Sequence, residues 1–204
     1  FDINADQDYK KVLNSPNWAR ARKKMYLERE QRIHPGLDNK ILTDWNGLTL
    51  AALSRAGAAT GDQRFIDAAT NLAEYIKSEL LQDGKHLLHL PTGKSDVIEG
   101  FLDDYSFVIQ GLRNYYEMSF DPEYLQLAVK LQQTQLELFW DEKQGGFFFT
   151  QEKSQELFIR QKEIYDGANP SGNSVAAENL YYLGRLAEKP DWEVLSDKIG
   201  AAFF

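Results

Sequence analysis

The stretch Asp-Asn-Lys-Ile-Leu-Thr-Asp-Trp-Asn at residues 38–46, followed by Gly47, decides how this sequence is interpreted. It places acids, amides, a lysine and a tryptophan directly ahead of an apolar segment rich in leucine and alanine. Two later stretches combine similar residues ahead of apolar segments: Glu-Gly-Phe-Leu-Asp-Asp-Tyr at 99–105 and Tyr-Asp-Gly-Ala-Asn-Pro-Ser-Gly-Asn at 165–173. We call these three stretches the rim motifs, because their recurrence predicts that they gather at one rim of a repeating fold.

The segments between the rim motifs repeat a helical pattern. Each motif precedes a helical segment with few charges, and an amphipathic helical segment follows it. Asp62, Asp121 and Pro190 stand where the second helix of each pair begins, and all three are residue types typical of helix starts. Periodicity predicts helices over about 6–14, 16–32, 45–60, 63–81, 104–119 and 122–139, with further helices from 172 and from 190, and strands at 86–90 and 147–150, the second with 158–162 as a candidate partner.

Repeated helical hairpins predict a curved array with an inner and an outer ring of helices. Phe65, Tyr124 and Trp192 occupy matching places in the second helices, at intervals of roughly 60–70 residues. We therefore predict an all-α fold, an α/α toroid with short β-hairpins in its loops. The alternative is an irregular helical bundle.

The two ends of the chain predict a fragment. The sequence begins at Phe1 without methionine and ends on Ala-Ala-Phe-Phe at 201–204, in the middle of a predicted helix. We interpret residues 1–204 as a single α/α-hairpin domain that is part of a larger, here incomplete, toroid. Self-association through apolar surface exposed by the truncation is then expected.

Composition excludes several classes of protein. The 204 residues include 43% hydrophobic side chains, as in a globular chain, and the net charge of −8 argues against a nucleic-acid partner. Without any cysteine, the chain cannot form disulfides or zinc–thiolate sites of its own, which fits a cytoplasmic location. No apolar segment is long enough for a membrane span, and no glycine-rich phosphate loop or Gly-x-Ser-x-Gly elbow is present.

Taken together, residues 37–47, 101–105 and 166–174 resemble the thioredoxin-domain-containing proteins of the YyaL and spermatogenesis-associated type. The resemblance runs from about Arg20 to the C-terminus. It implies a toroid of six α/α hairpins, similar to six-hairpin glycosidases and to N-acylglucosamine 2-epimerases. It also implies a preceding thioredoxin-like domain, which this chain does not contain.

The rim motifs supply the candidate catalytic residues, Asp44, Asp104 and Asp166. Glycoside hydrolysis requires two carboxyl groups across the scissile bond. The start of an inner helix should keep Asp104 ionised, which suits a base or nucleophile, with Asp166 or Glu99 as the acid. Asp38, Glu99 and Glu163 are reserves for either role.

Candidate substrate-binding residues come from the same motifs, because hydroxyl-rich ligands are bound by carboxylates, amides and aromatic rings. Several of these residues also have a plain structural interpretation: Asp44, Asp103, Ser171 and Asn173 could cap helices, and the aromatic residues could belong to the core. The predicted substrate-binding set is Asp38, Lys40, Trp45, Asn46, Asp103, Tyr105, Asn169, Ser171 and Asn173.

Three function hypotheses follow. The first is a carbohydrate-active domain that binds or hydrolyses a sugar through rim carboxylates. The second is a non-catalytic module that binds a ligand or partner beside a thioredoxin-like domain. The third is a sugar epimerase or isomerase, which ranks lower because the chain has only His34, His86 and His89 for acid/base chemistry. We expect a small polar ligand such as a sugar, no cofactor and no metal.

Overall fold

The computed structural model describes residues 5–91, 98–152 and 159–203, and the chain falls into two compact units, Phe1–Asn39 and Lys40–Phe204. The first unit contains helices α1 (Ala5–Leu13) and α2 (Pro16–Glu30). Ser15 caps α2, since its Oγ accepts a hydrogen bond from the backbone N–H of Trp18 at 3.2 Å. The prediction of a single α/α-hairpin domain over 1–204 stays a prediction.

The second unit contains three helical hairpins and a small sheet. The predicted helix over 63–81 ends as a π-helical turn at Ile76–Leu80, and the other predicted helices of this unit are confirmed within two residues at each stated end. The elements are α3 (Thr43–Thr60), α4 (Gln63–Tyr75), β1 (Leu81–Gln82), β2 (His86–Leu90), β3 (Ile98–Glu99), α5 (Leu102–Ser119), α6 (Pro122–Phe139), α7 (Gly172–Leu186) and α8 (Pro190–Phe203).

The hairpins pack in the predicted order. Helix α5 lies between α3 and α7, while α4, α6 and α8 each pack on the helix that precedes them in the chain. Most of α5 is buried, including Tyr105, Phe107 and Leu112. The helices that follow the rim motifs therefore form an inner row, and their first turns lie at the same end of the unit.

Two glycines allow α3 and α5 to touch through their backbones. A Cβ added at Gly47 would lie 2.5 Å from the carbonyl carbon of Phe107, and one at Gly111 would lie 2.8 Å from the carbonyl oxygen of Gly47. No side chain larger than hydrogen fits at either position unless the helices move apart. This contact holds the first two rim motifs beside each other.

The helix starts divide into two kinds. Asp62 and Asp121 cap α4 and α6 as predicted, accepting hydrogen bonds from Arg64 N at 2.9 Å and Glu123 N at 3.0 Å. Asp44 and Asp103 do not cap: each is the second residue inside its helix. The capping interpretation of these two aspartates is therefore wrong, and their carboxyl groups are available for other contacts.

The strands form a three-stranded antiparallel sheet in the order β1-β2-β3. The strand predicted at 86–90 is confirmed. The strand predicted at 147–150 is reduced to an isolated bridge between Trp140 and Phe147, although Phe149 N donates to Gln161 O at 2.8 Å. The rest of its predicted partner segment begins at Phe158, which lies outside the described residues. Across the described ranges, no helix is both long and apolar enough to span a bilayer.

Candidate functional site

Hydrogen bonds join the three rim motifs at the first turns of α3, α5 and α7. The backbone N–H of Asp44 donates to Asp104 Oδ1 at 2.9 Å, which links the first motif to the second. The backbone N–H of Gly172 hydrogen-bonds to Asp103, which links the second motif to the third. The predicted convergence of residues from three distant segments is confirmed.

Asp104 is the buried centre of this arrangement. Its side chain has essentially no exposed surface, and its Oδ2 accepts a hydrogen bond from Phe101 N at 2.7 Å in addition to the bond that Oδ1 accepts from Asp44 N. His89 Nδ1 lies 3.0 Å from Oδ2. These three N–H donors compensate a carboxylate that would otherwise be costly to bury. Because a ligand could not reach it, we assign Asp104 a positioning role instead of the predicted role of base or nucleophile.

His89 was not among the sequence-predicted site residues. Its Nδ1 is bound to Asp104, so Nε2 is the ring atom that can exchange a proton with a ligand. Its side chain is 23% exposed, and its ring packs edge-on against Phe101 with centroids 5.0 Å apart. The hydrogen bond to Asp104 raises the pKa of His89, and the charges of Asp44 and Asp103 add to this effect.

Two residues predicted to bind substrate are completely buried. The hydroxyl oxygen of Tyr105 accepts a hydrogen bond from Leu87 N at 3.0 Å, which fixes β2, and burial raises the pKa of Tyr105 to about 12. Asn173 Oδ1 accepts from Phe147 N at 2.7 Å, and its Nδ2 donates to the carbonyl oxygens of Phe147 and Glu163, both at 2.9 Å. We therefore assign both residues a supporting role instead of ligand contact.

A cavity of about 220 Å³ opens between the second and third rim motifs. Asp103 reaches it from α5, and burial, helped by the charges of Asp104 and Asp44, raises the pKa of Asp103 to about 6. The polar lining residues are Asp103, Glu163, Tyr165, Asn169 and Ser171, and Leu102 and Phe149 supply apolar surface.

Asp44 is half-buried at the start of α3. Its Oδ1 accepts a hydrogen bond from Trp45 N at 2.7 Å, while burial and the nearby Asp104 charge raise its pKa. Trp45 itself is 57% exposed. Asn46 uses its Nδ2 to donate to Leu42 O at 2.7 Å, a local contact that shapes the helix start.

The remaining predicted residues are at the surface. Asp166 accepts a hydrogen bond from Ser171 N at 2.8 Å, and Ser171 caps α7 by accepting from Ser174 N at 3.1 Å. Asn169 and Lys40 are exposed in the second unit. Asp38 belongs to the first unit and is exposed there.

Asp44, His89 and Asp104 each offer one atom of a type that binds metals, and these atoms lie within 4.8 Å of one another. The oxygens of Asp104 already accept hydrogen bonds from N–H groups, so hydrogen bonding accounts for this cluster. His86 pairs instead with Asp83 at 2.9 Å and lines a separate cavity of about 430 Å³ between the sheet and α6. The two histidines of β2 therefore do not share a site.

Comparison with curated proteins identifies relatives of this chain. It is similar to spermatogenesis-associated protein 20. The human protein is 38% identical over 179 residues, which are 83% of this chain and 23% of the relative, and the mouse protein is 37% identical over the same length. An uncharacterized protein of Caenorhabditis elegans is 32% identical over 179 residues. The chain thus spans about a quarter of the length of these relatives, and no protein-family model matches the sequence.

Solved structures with the same fold act on sugars. A glycoside hydrolase family 76 α-mannanase from Bacteroides thetaiotaomicron matches with a TM-score of 0.67 at 14% identity, covering 94% of this chain and 56% of that one. Cellobiose 2-epimerase from Spirochaeta thermophila matches with a TM-score of 0.62 at 17% identity, covering 78% and 42%. These similarities confirm the predicted α/α-toroid, six-hairpin glycosidase-like fold.

A third structural match is an inactive variant of an α-1,6-mannanase from Salegentibacter, in which two consecutive aspartates are replaced by asparagine, bound to α-1,6-mannotriose. Its TM-score is 0.63 at 15% identity, and the match covers 79% of this chain and 46% of that one.

Proposed function

We propose that the rim binds a sugar and acts on it as a glycoside hydrolase-like site, with Asp103 as the proton donor. The observation that carries this proposal is the position of Asp103. Its carboxyl group is largely buried at the start of α5, yet it lines a cavity that also contains Glu163 and the exposed ring of Tyr165. A carboxyl group with one side in the protein and one side facing a ligand space is what a general acid requires.

The environment of Asp103 suits proton donation. A general acid must hold its proton near the working pH, and burial achieves this for carboxyl groups. The raised pKa of Asp103 fits that role. Glu163, which is exposed in the same cavity, is our choice for the second carboxylate. Asp44 and Asp166, predicted to be catalytic from the sequence, stay candidates for that second role.

The structural neighbours support the same division of labour. Replacement of two consecutive aspartates accompanies inactivity in the Salegentibacter mannanase variant, and this chain carries consecutive aspartates at 103 and 104. In the present geometry the first aspartate faces the cavity, and the second holds His89 and the start of α3. We infer that Asp103 carries the chemistry and that Asp104 positions its surroundings.

The basic side chains near the cavity have other partners. Arg160 donates to the carbonyl oxygens of Thr150 at 2.6 Å and Leu138 at 3.3 Å. Lys162 pairs with Asp141 at 2.8 Å. A purely structural role for the rim acids would favour their pairing with these cations, so this arrangement favours an enzyme over a non-catalytic module.

Paired variants test the proposal. Asp103→Asn and Glu163→Gln should each lower turnover of aryl glycosides by orders of magnitude while the fold is retained. Glu137→Gln, a matched change at an exposed glutamate on α6 outside this cavity, should leave turnover unchanged. Sugar binding without turnover by the unaltered chain would support the binding module instead.

Sugar epimerisation is the second candidate, because His89 is held by a carboxylate close to the rim acids. Histidine is well suited to removing and returning a proton at neutral pH. Incubation with sugars in D₂O, followed by NMR, separates the two reactions. Deuterium incorporated at a sugar carbon indicates epimerisation, whereas new reducing ends indicate hydrolysis.

A further inference from the structure

We propose that this cavity selects uncharged or amino sugars and excludes sugars that carry a carboxylate or a phosphate. The inference deepens the proposed function and rests on it. It concerns the charge of the ligand, which the fold and the proton donor alone do not determine.

The charge of the cavity lining is the first argument. Asp103 and Glu163 contribute carboxyl groups, and the other polar lining residues, Tyr165, Asn169 and Ser171, are neutral. The described lining contains no lysine, arginine or histidine. Carboxylate oxygens accept hydrogen bonds from sugar hydroxyls or from an ammonium group, but they repel another carboxylate.

The surroundings do not supply the missing positive charge. Arg160 and Lys162, which precede the cavity segment in the chain, are bound to Thr150, Leu138 and Asp141. His89, the remaining cation of the rim, forms its contact with Asp104. An anionic ligand would therefore meet a field that its own charge makes unfavourable.

Helix N-termini often bind anions through free N–H groups, but here protein groups already occupy them. At α7, the N–H of Gly172 binds Asp103, and the N–H of Ser174 binds the Ser171 hydroxyl. At α5, the N–H of Phe101 binds Asp104. The three inner helices thus use their first turns to hold the site's own acids and hydroxyls.

The size of the cavity fits one sugar residue. At about 220 Å³ it is smaller than the roughly 300–1,000 Å³ of sites for drug-sized ligands. Tyr165 is 76% exposed and can lie against one face of a sugar ring. A single ring bound here would place its substituents close to Asp103 and Glu163, so a charged substituent would have a strong effect.

A series of methyl glycosides that differ only at C6 tests the proposal. The substituents are the primary alcohol, the uronamide, the uronate and the primary ammonium, in the gluco, manno and galacto configurations. The uronamide and the uronate have nearly the same shape and differ in charge. NMR titration of the full chain at pH 7.5 should show the amide binding about 10-fold more tightly than the uronate, and the ammonium compound at least as tightly as the alcohol.

The Glu163→Gln variant should reduce the preference for the uronamide over the uronate severalfold. Glu137→Gln makes the same charge change outside this cavity and should leave the preference unaltered. Equal or tighter binding of the uronate by the unaltered chain would overturn the charge proposal while leaving the sugar-binding function standing. A failure of every member of the series to bind would overturn the proposed function, and this inference with it.

Discussion

Nδ1 of His89 lies 3.0 Å from Oδ2 of Asp104, an aspartate whose side chain is completely buried. Backbone N–H groups of Asp44 and Phe101 bind the same carboxylate. One buried charge therefore connects the strand that carries His89 with the starts of α3 and α5. The sequence showed this aspartate as one of an adjacent pair, without indicating which of the two would face a ligand.

Replacing Asp104 by asparagine should destabilise the fold strongly. An asparagine amide presents two N–H donors, and at least one of them would face the N–H groups that now bind the carboxylate. We expect the free energy of unfolding to fall by about 2–4 kcal/mol, measured by urea denaturation. This reverses the small effect on melting temperature that a surface role for Asp104 would give.

The same variant should lower the pKa of His89, because the hydrogen bond that raises it would lose its charged partner. With only three histidines in the chain, their ring protons can be followed individually by NMR titration. His34→Gln and His86→Gln assign the signals. An unchanged His89 titration in the folded variant would contradict the pairing described here.

Asp103→Asn should stabilise the protein above pH 6. The pKa of Asp103 rises from 3.8 in the unfolded chain to about 6 in the folded one, so ionisation costs stability as pH rises through this interval. Asparagine removes that cost. The gain in melting temperature should be largest above pH 6 and should disappear by about pH 4, where aspartate is protonated in the folded protein. A gain that does not depend on pH would contradict the assigned pKa.

Gly47→Ala should break the contact between α3 and α5. The added Cβ would lie 2.5 Å from backbone atoms of Phe107 and Val108, which cannot move as a flexible side chain can. Thermal unfolding should show a loss of about 3 kcal/mol or more, as expected for overpacking against a rigid neighbour.

Gly200→Ala is the control for this change. A Cβ there meets nothing within 4 Å, in the interior of α8, so alanine should stabilise the helix by up to about 1 kcal/mol. Similar losses for both variants would mean that helix propensity, and not the close approach, governs Gly47.

Asn173→Ala should cost about 2–4 kcal/mol, because it leaves Phe147 N and two carbonyl groups without their buried partner. Asn169→Ala, at an exposed position of the same motif, should change stability by less than about 0.5 kcal/mol. Chemical denaturation of both variants checks the difference. If Asn173→Ala instead weakened sugar binding and left stability intact, direct ligand contact would be its role.

The sequence predicted the helices well because their periodicity and caps are local. Asp62 and Asp121 have the same role in any fold that contains those helices. The division of roles between Asp103 and Asp104 depends on which element packs over the start of α5, and this is a tertiary property. His89 was missed for the same reason: only the placement of β2, fixed by the bond between Leu87 and Tyr105, brings its ring to Asp104.

The ties at the start of α7 set the spacing of the two proposed catalytic acids. Gly172 holds the Asp103 carboxyl through its N–H, and the next residue, Asn173, holds the main chain of Glu163 through its side-chain amide. Two consecutive residues thus act as a ruler between the acids. A change in the span between Asp103 and Glu163, such as the one that distinguishes retaining from inverting glycosidases, would need altered contacts at this single dipeptide, with the rest of the helical framework left in place.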